Sequence, residues 1–573
     1  MVVDDANFRT SAGQNPMPLQ EPRTTFNASM IGDVDRVLST SYSLDGAGAN
    51  SKTIRLSDLG IGTRLHHGEG MLCETWTFDS QMTVSIGFDE ALVDESLVDN
   101  ILKVLTGDDV AKHNSKDDLW MIINGKVYDL TTFAPNHPGG IKVLLRYAGK
   151  DATEEYEPIH PPGTIEEALS PAQQLGPVDM GTVAKVVVEE QKAPVGPPMS
   201  LSSCVNIADI EAAGEQLLKP KAFAYYASAA DDERTKNWNH DSFAKVRFRP
   251  RVLRDVTEAD LSRNILGFKS TLPFFIAPAA MGRLAHPDGE KNFAKVAAAR
   301  GFPYLVSANS SVGFEELAEV AGPNAHLIYQ LYVNRDRPKT EAVLKRVVAA
   351  GYKGVCVTVD APVAGKRERD ERSKMDAESA ADDSMRDAVR PDKPQGIAQN
   401  LGSYVDASLS FSDLAWIKKH SSNLPLIVKG IQTVEDAVLC AKSGHVEAIY
   451  LSNHGGRQLE GAPSSLETLL EIQKFEPWIF EKCQVFLDGG IKRGTDVLKA
   501  LALGATAVGL GRPYMYSLVF GQQGVEQVTR ILSEEIAQNL RLLGCTNLDD
   551  LSKELCNTKA LDNEIIDRKV YSE

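Results

Sequence analysis

The chain has 573 residues, is 43% hydrophobic, and carries a formal net charge of −17 with a sequence pI of about 5.2. That length calls for more than one hydrophobic core, and the acidic balance argues against nucleic acid as a partner while suiting a basic protein, or simply solubility. The seven cysteines form no CxxC and no CxxCH, which removes a zinc ribbon and a covalently attached haem, and no apolar run reaches the ~20 residues of a membrane span.

The first segment, residues 1–105, is low in pattern and rich in Ser, Thr, Gly and Asp, and reads as an extension largely without fixed structure. Its acidic start at Asp4 and Asp5 opposes a mitochondrial presequence, while Arg9, Arg23 and several serines favour one. There is no signal-peptide apolar core and no peroxisomal tag at the C-terminus, so the expectation is a soluble protein of the cytoplasm or the mitochondrial intermembrane space.

Residues 106–188 read as a compact α+β domain containing Leu119–Ile123 and Lys126–Leu130. Within it stand Asn136-His137-Pro138-Gly139-Gly140 and, 23 residues after His137, the histidine of Glu157-Pro158-Ile159-His160. Two histidines on turn-forming sequence can clamp a haem iron from both faces, leaving no open position for oxygen. Zinc is the competing ligand, but it would want two more donors, and the domain offers only His113. A linker at 189–200 contains Ala193-Pro194-Val195-Gly196-Pro197-Pro198, and a helical stretch around 206–230 opens the largest part, residues 201–565.

From Phe274 onward one theme repeats: a short apolar strand, a polar or glycine-rich tip, then a helix-like stretch. The strands predicted are Phe274–Ala277, Tyr304–Ser307, Leu327–Leu331, Gly354–Val359, Leu426–Lys429, Ala448–Leu451, Val485–Leu487 and Ala507–Gly509. About eight such units over roughly 250 residues predict an α/β fold of the (β/α)8 TIM-barrel type, with its active site at the C-terminal strand ends. No GxGxxG or GxxxxGK[ST] supports a doubly wound sheet instead.

The strand tips carry the chemistry. Ser452 through Gln458 places His454 and Arg457 on a glycine-rich turn, a potential base beside a carboxylate clamp, as removal of hydrogen from a 2-hydroxy acid requires. Asp360 can orient His454 and raise its pKa, or serve as an ordinary turn residue before Ala361-Pro362. Lys429 can place an ammonium in the barrel mouth, or snorkel to the surface. Asp488-Gly489-Gly490 with Lys492, and Gly511-Arg512, follow the last two strands, where such barrels bind phosphate; ordinary turn glycines are the plain alternative.

Residues 200–560 resemble the FMN-dependent α-hydroxy-acid-oxidising family, through Ala224–Ser228, Tyr329–Tyr332, Thr358–Pro362, Val428–Gly430, Ser452–Gln458, Asp488–Gly490, Arg493–Asp496 and Gly509–Pro513. The resemblance implies His454 as base supported by Asp360, with Arg457 and Tyr225 on the substrate carboxylate, Tyr332 near the hydroxyl-bearing end and Arg367 as a second arginine. It implies FMN held by Ala277, Pro278, Ala279, Ala280, Ser307, Gln330, Thr358, Lys429 and the two glycine loops. Two positions depart from that pattern: Lys492 replaces an arginine, and Asn309 stands where a large apolar residue would cover the substrate side chain, so the acid is not fixed as lactate.

Residues 106–188 are similar to cytochrome b5, through the His-Pro-Gly-Gly turn, Trp120 and Tyr128-Asp129-Leu130, which implies non-covalent haem b on His137 and His160. Together the two resemblances imply a dehydrogenase that takes electrons from a small, lactate-like L-2-hydroxy acid and passes them through FMN and haem to cytochrome c, as a homotetramer without membrane attachment. An oxidase handing electrons to oxygen, and a non-catalytic haem-binding redox sensor, are the alternatives. The charge-dense stretch 366–396 reads as a surface loop open to proteases, with Arg367 at its root.

Overall fold

The computed structural model describes residues 105–137, 141–160, 163–184, 199–372 and 404–567, together with four short strands between residues 41 and 88. The chain divides into two compact units, Met1–Leu105 and Thr106–Glu573. In the first, Ser41–Ser43 pairs antiparallel with Thr53–Arg55, and Met71–Phe78 with Gln81–Phe88. The reading of 1–105 as an extension without fixed structure falls mostly outside the described residues, as do most of the linker and the greater part of the charge-dense stretch.

The second unit opens with a five-stranded sheet in which Asp118–Ile123 and Lys126–Asp129 lie side by side. The turn between them is Asn124-Gly125, both at positive φ, which matches the twist of the paired strands. Leu119, Met121 and Ile123 fall on one face at a period of two and pack with Tyr128, Leu130, Leu144 and Ile165 into a small core of their own. Helices Ile141–Arg146, Thr153–Tyr156 and Thr164–Ala168 complete this domain.

The rest is a closed parallel barrel of eight strands. They are β1 (Phe274–Ile276), β2 (Tyr304–Val306), β3 (Leu327–Leu331), β4 (Val355–Thr358), β5 (Leu426–Ile431), β6 (Ala448–Leu451), β7 (Gln484–Leu487) and β8 (Ala507–Leu510). Every expected strand is present, within two residues at either end. The strands are apolar apart from a few residues at their ends because both faces are covered: Phe275, Leu305, Ile328, Cys356, Ile427, Tyr450 and Phe486 fill the interior. The small hairpin of Arg263–Ile265 and Phe268–Ser270 plugs the N-terminal end, where the Leu266 N–H donates to the side chain of Gln484, the first residue of β7. That leaves the opposite rim to the polar tips.

Candidate active site

The turn after β6 is left-handed three times over, at His454 (φ 60), Gly455 (φ 64) and Gly456 (φ 76). A Cβ on Gly456 would stand 2.5 Å from the Lys236 backbone nitrogen, so only glycine fits. Asn453 anchors the turn by reciprocal amide bonds of 2.8 and 2.7 Å with Asn239. His454 is thereby turned into a cavity of about 500 Å³, its Nδ1 2.8 Å from Oδ1 of the fully buried Asp360.

A bulge in β5 between Lys429 and Ile431 sits on Gly430 (φ 110), where a Cβ would be 2.6 Å from the Asp360 Cβ. This close approach puts Lys429 Nζ 3.7 Å from Asp360 Oδ2, 4.0 Å from Asp488 Oδ2 and 3.0 Å from Ser452 Oγ. Lys429 therefore points into the barrel mouth and is 4% exposed, which rules out the snorkelling alternative. Asp488 accepts from Tyr450 Oη at 2.9 Å and Ser452 Oγ at 2.7 Å, so both its oxygens are engaged inside the barrel.

Charge follows from burial. For Asp360 desolvation favours protonation, yet His454 and Lys429 outweigh it and hold the carboxyl below its ordinary range. Lys429 is likewise penalised by burial, but Asp360 and Asp488 keep its pKa raised. His454 goes the other way: burial leads, Lys429 and Arg367 add to it, and together they exceed the upward pull of Asp360. The expected rise in the histidine pKa is thus corrected to a fall, because the ring is desolvated as well as paired. The resting triad is a neutral imidazole, a carboxylate and an ammonium.

Two further guanidiniums meet in this cavity. Arg457 is fixed by donating to the backbone carbonyls of Tyr225 (3.1 Å) and Tyr226, and its Cζ lies 5.5 Å from the centre of the Tyr225 ring. Arg367 is 8% exposed, and among the described residues its buried Nε has no hydrogen-bond partner. Burial, with Arg457 next to it, lowers its pKa to about 10, so it stays charged at neutral pH with that donor unmet. Tyr225 and Tyr332 line the same space, and burial raises both phenols so that they remain donors.

The expected FMN residues meet here too. Ser307, Gln330 and Thr358, from the tips of β2, β3 and β4, form one buried polar row: Gln330 Nε2 donates to Thr358 Oγ1 at 3.0 Å, and its Oε1 accepts from Ser307 Oγ at 3.4 Å. The small residues Ala277, Pro278, Ala279 and Ala280 line the adjoining wall. Among the described residues the backbone N–H groups of Gly489 and Gly490 find no protein acceptor, and Lys492 beside them pairs with Glu211 at 3.2 Å. At Gly511 an added Cβ would meet nothing within 4 Å, so this loop is open to the cavity. Polar row, small-residue wall and glycine loop suit a flat heterocycle carrying a phosphate tail. Arg512 lines the cavity too, its orientation fixed by bonds from its three nitrogens to the backbone carbonyls of Tyr226, Ser228 and Gly455, which leave two of its five N–H donors.

In the small domain the rings of His137 and His160 have centroids 6.3 Å apart. Two imidazoles that each place a nitrogen about 2 Å from a shared metal have centroids about 6 Å apart, so the pair is spaced for one ion between them. His160 Nδ1 contacts the Tyr156 carbonyl at 3.1 Å, which fixes the ring and directs Nε2 outward, and burial lowers its pKa to about 4, so it is a neutral ligand at physiological pH. His113, which a zinc site would have to recruit, stacks on Trp120 and bonds Asp118.

Family models match both parts of the chain: FMN-dependent dehydrogenase over residues 214–558, and cytochrome b5-like haem/steroid-binding domain over residues 106–179. The chain belongs to the FMN-dependent dehydrogenase family. It is 42% identical over 476 residues to an L-lactate dehydrogenase (cytochrome) of Wickerhamomyces anomalus, covering 81% of either chain. It is 38% identical over 492 residues to the enzyme of the same description from Saccharomyces cerevisiae, covering 81% of this chain and 82% of that one. A solved flavocytochrome b2 variant with pyruvate bound matches 65% of this chain and 93% of its own at 35% identity and a TM-score of 0.58. The cofactors are accordingly FMN and haem b, and the protein is an oxidoreductase with two redox domains. Among the described residues no helix is long and apolar enough to cross a membrane.

Some of the site was missing from the sequence reading. Ser452 bridges Lys429 to Asp488, and Tyr404 reaches Asn309 from beyond the charge-dense stretch with its hydroxyl at 3.2 Å. Ser452 adjoins the His454 motif and was open to discovery by adjacency; nothing local marks Tyr404.

Proposed function

We propose that the protein oxidises a small, lactate-like L-2-hydroxy acid to the 2-oxo acid and delivers the electrons to cytochrome c. The observation that carries the reading is a neutral, half-buried His454 braced by Asp360 in one cavity with an Arg367 guanidinium whose Nε is unmet. The substrate carboxylate would pair with Arg367 and the free edge of Arg457, while Tyr225 and Tyr332 donate hydrogen bonds. His454 would take the hydroxyl proton as C2 gives up its hydrogen and two electrons, and Asp360 would stabilise the imidazolium that results. Lys429 would hold positive charge against the flavin. FMN supplies a two-electron acceptor beside C2, and haem b on His137 and His160 a one-electron relay. The net charge of −17 suits a basic acceptor such as cytochrome c.

The test is an anaerobic absorption spectrum of the purified holoprotein before and after L-lactate and a panel of L-2-hydroxy acids. Bleaching of the flavin followed by reduced haem bands is expected. Silence of both cofactors toward every acid overturns the reading. A bleached flavin beside persistently oxidised haem removes the cytochrome route and leaves the oxidase.

A further inference from the structure

The cavity wall contains one polar group to which the proposed chemistry gives no task. Asn309, in the loop after β2, is 8% exposed and faces the cavity. Its backbone N–H donates to Ser307 Oγ at 3.2 Å, and its Oδ1 accepts from Tyr404 Oη at 3.2 Å. Among the described residues its side-chain nitrogen has no protein acceptor. Tyr404 is held in turn, since its carbonyl accepts from the Arg335 N–H at 3.1 Å, and the next residue, Val405, bridges Asn334. The amide is thus held by Tyr404 with its nitrogen left to the cavity, where water or a bound molecule can supply the acceptor, and an apolar group that displaced that water would leave the donor unmet.

Its position relative to the cations follows from neighbours. Arg457 lies over Tyr225, and Asn309, Tyr225, Tyr332, Arg367, His454 and Arg457 all line one cavity, with Tyr404 bonded to Asn309 behind it. A substrate with its carboxylate on the arginines and C2 at His454 has its C3 substituent left for the remaining polar wall, at Asn309. Burial, opposed only by the bond to Asn309, raises the Tyr404 phenol to about 12, so this end of the cavity is polar but uncharged.

We infer that Asn309, positioned by Tyr404, forms a subsite for a hydroxyl group on C3, which makes 2,3-dihydroxy acids the preferred substrate class. The inference rests on the hydroxy-acid reading above and deepens it. A hydroxyl can accept from the amide nitrogen and donate back, whereas a methyl leaves the donor unmet.

The test is anaerobic stopped-flow flavin reduction by the holoprotein with L-glycerate and L-2-hydroxybutyrate, whose C3 substituents are similar in size, and with L-lactate. The wild type is expected to favour L-glycerate over L-2-hydroxybutyrate in kcat/KM by about tenfold, the consequence of a donor met by the hydroxyl rather than stripped of its water by a methyl. Asn309→Leu should reverse the preference, and Tyr404→Phe, which frees the amide to turn, should shrink it. Should Asn309→Leu fail to retain FMN, the wild-type and Tyr404→Phe ratios decide alone. A wild-type preference for L-2-hydroxybutyrate, or a ratio that neither substitution moves, overturns the subsite while leaving hydroxy-acid oxidation standing. Failure of all three acids to reduce the flavin overturns the broader reading instead.

Discussion

Replacing Asp360 with asparagine isolates what the buried carboxylate contributes. The substitution keeps size and an acceptor, so the new amide oxygen can still receive the His454 Nδ1–H now spanning 2.8 Å, and the tautomer survives. What is lost is the charge facing the imidazolium that forms as the proton is taken. Two unit charges about 4 Å apart at an effective dielectric near 20 interact by about 4 kcal/mol, which corresponds to roughly a thousandfold in rate. The assay is anaerobic flavin reduction at saturating acid, with FMN content read from absorbance. KM should move little, because the carboxylate clamp is untouched. The pH profile supplies a second signature: Asp360 pulls the His454 pKa upward against burial, so its removal should shift the acidic limb to lower pH while the plateau falls. A loss under tenfold, or an unmoved limb, refutes the assignment of Asp360 as the partner of a catalytic base.

His454→Gln should retain FMN and slow its reduction by roughly 10²–10⁴-fold, the usual contribution of a positioned base; near-normal turnover in stopped flow would remove the assignment. In the unaltered protein, a depressed His454 pKa means the base is neutral above its folded value, so kcat/KM should be flat through neutrality and fall only below pH 6.5, the ordinary histidine value. A limb above that value would contradict burial as the leading influence. His137→Ala should abolish the haem spectrum and leave substrate-driven flavin reduction intact, since the small domain has its own core; retained haem bands would break the ligand pair. Arg283 in the barrel part meets Glu157 of the haem domain at 3.5 Å with both side chains partly exposed, a contact worth about 1 kcal/mol at most. Arg283→Glu should therefore slow flavin-to-haem transfer several-fold, most visibly at low salt, and leave flavin reduction alone; an equal slowing of both steps would refute that separation.

What the sequence made legible depended on periodicity and on shared endpoints. Eight apolar runs, most of which stop at a polar tip, put those tips on one rim, which brings His454, Asp360, Lys429, Gln330 and Thr358 together from the sequence alone. Strand limits drifted by a residue or two because they are decided by the neighbouring strand's hydrogen bonds, as at the β5 bulge, where Gly430 extends the strand to Ile431. The division of labour within the site was less visible, for a physical reason: residue type shows what a group can do, while its neighbours decide what is left for it to do. Arg512 and Asp488 both line the cavity, but three carbonyls fix the first and two hydroxyls the second, bonds that no local pattern showed. Arg367 is the converse. It stands at the root of a charge-dense stretch that reads as surface, and only the family resemblance put it in the site, where it is buried with an unmet donor. A guanidinium buried with a donor unmet is a cost that packing alone would not maintain, so the protein's own interior specifies an anion at that point.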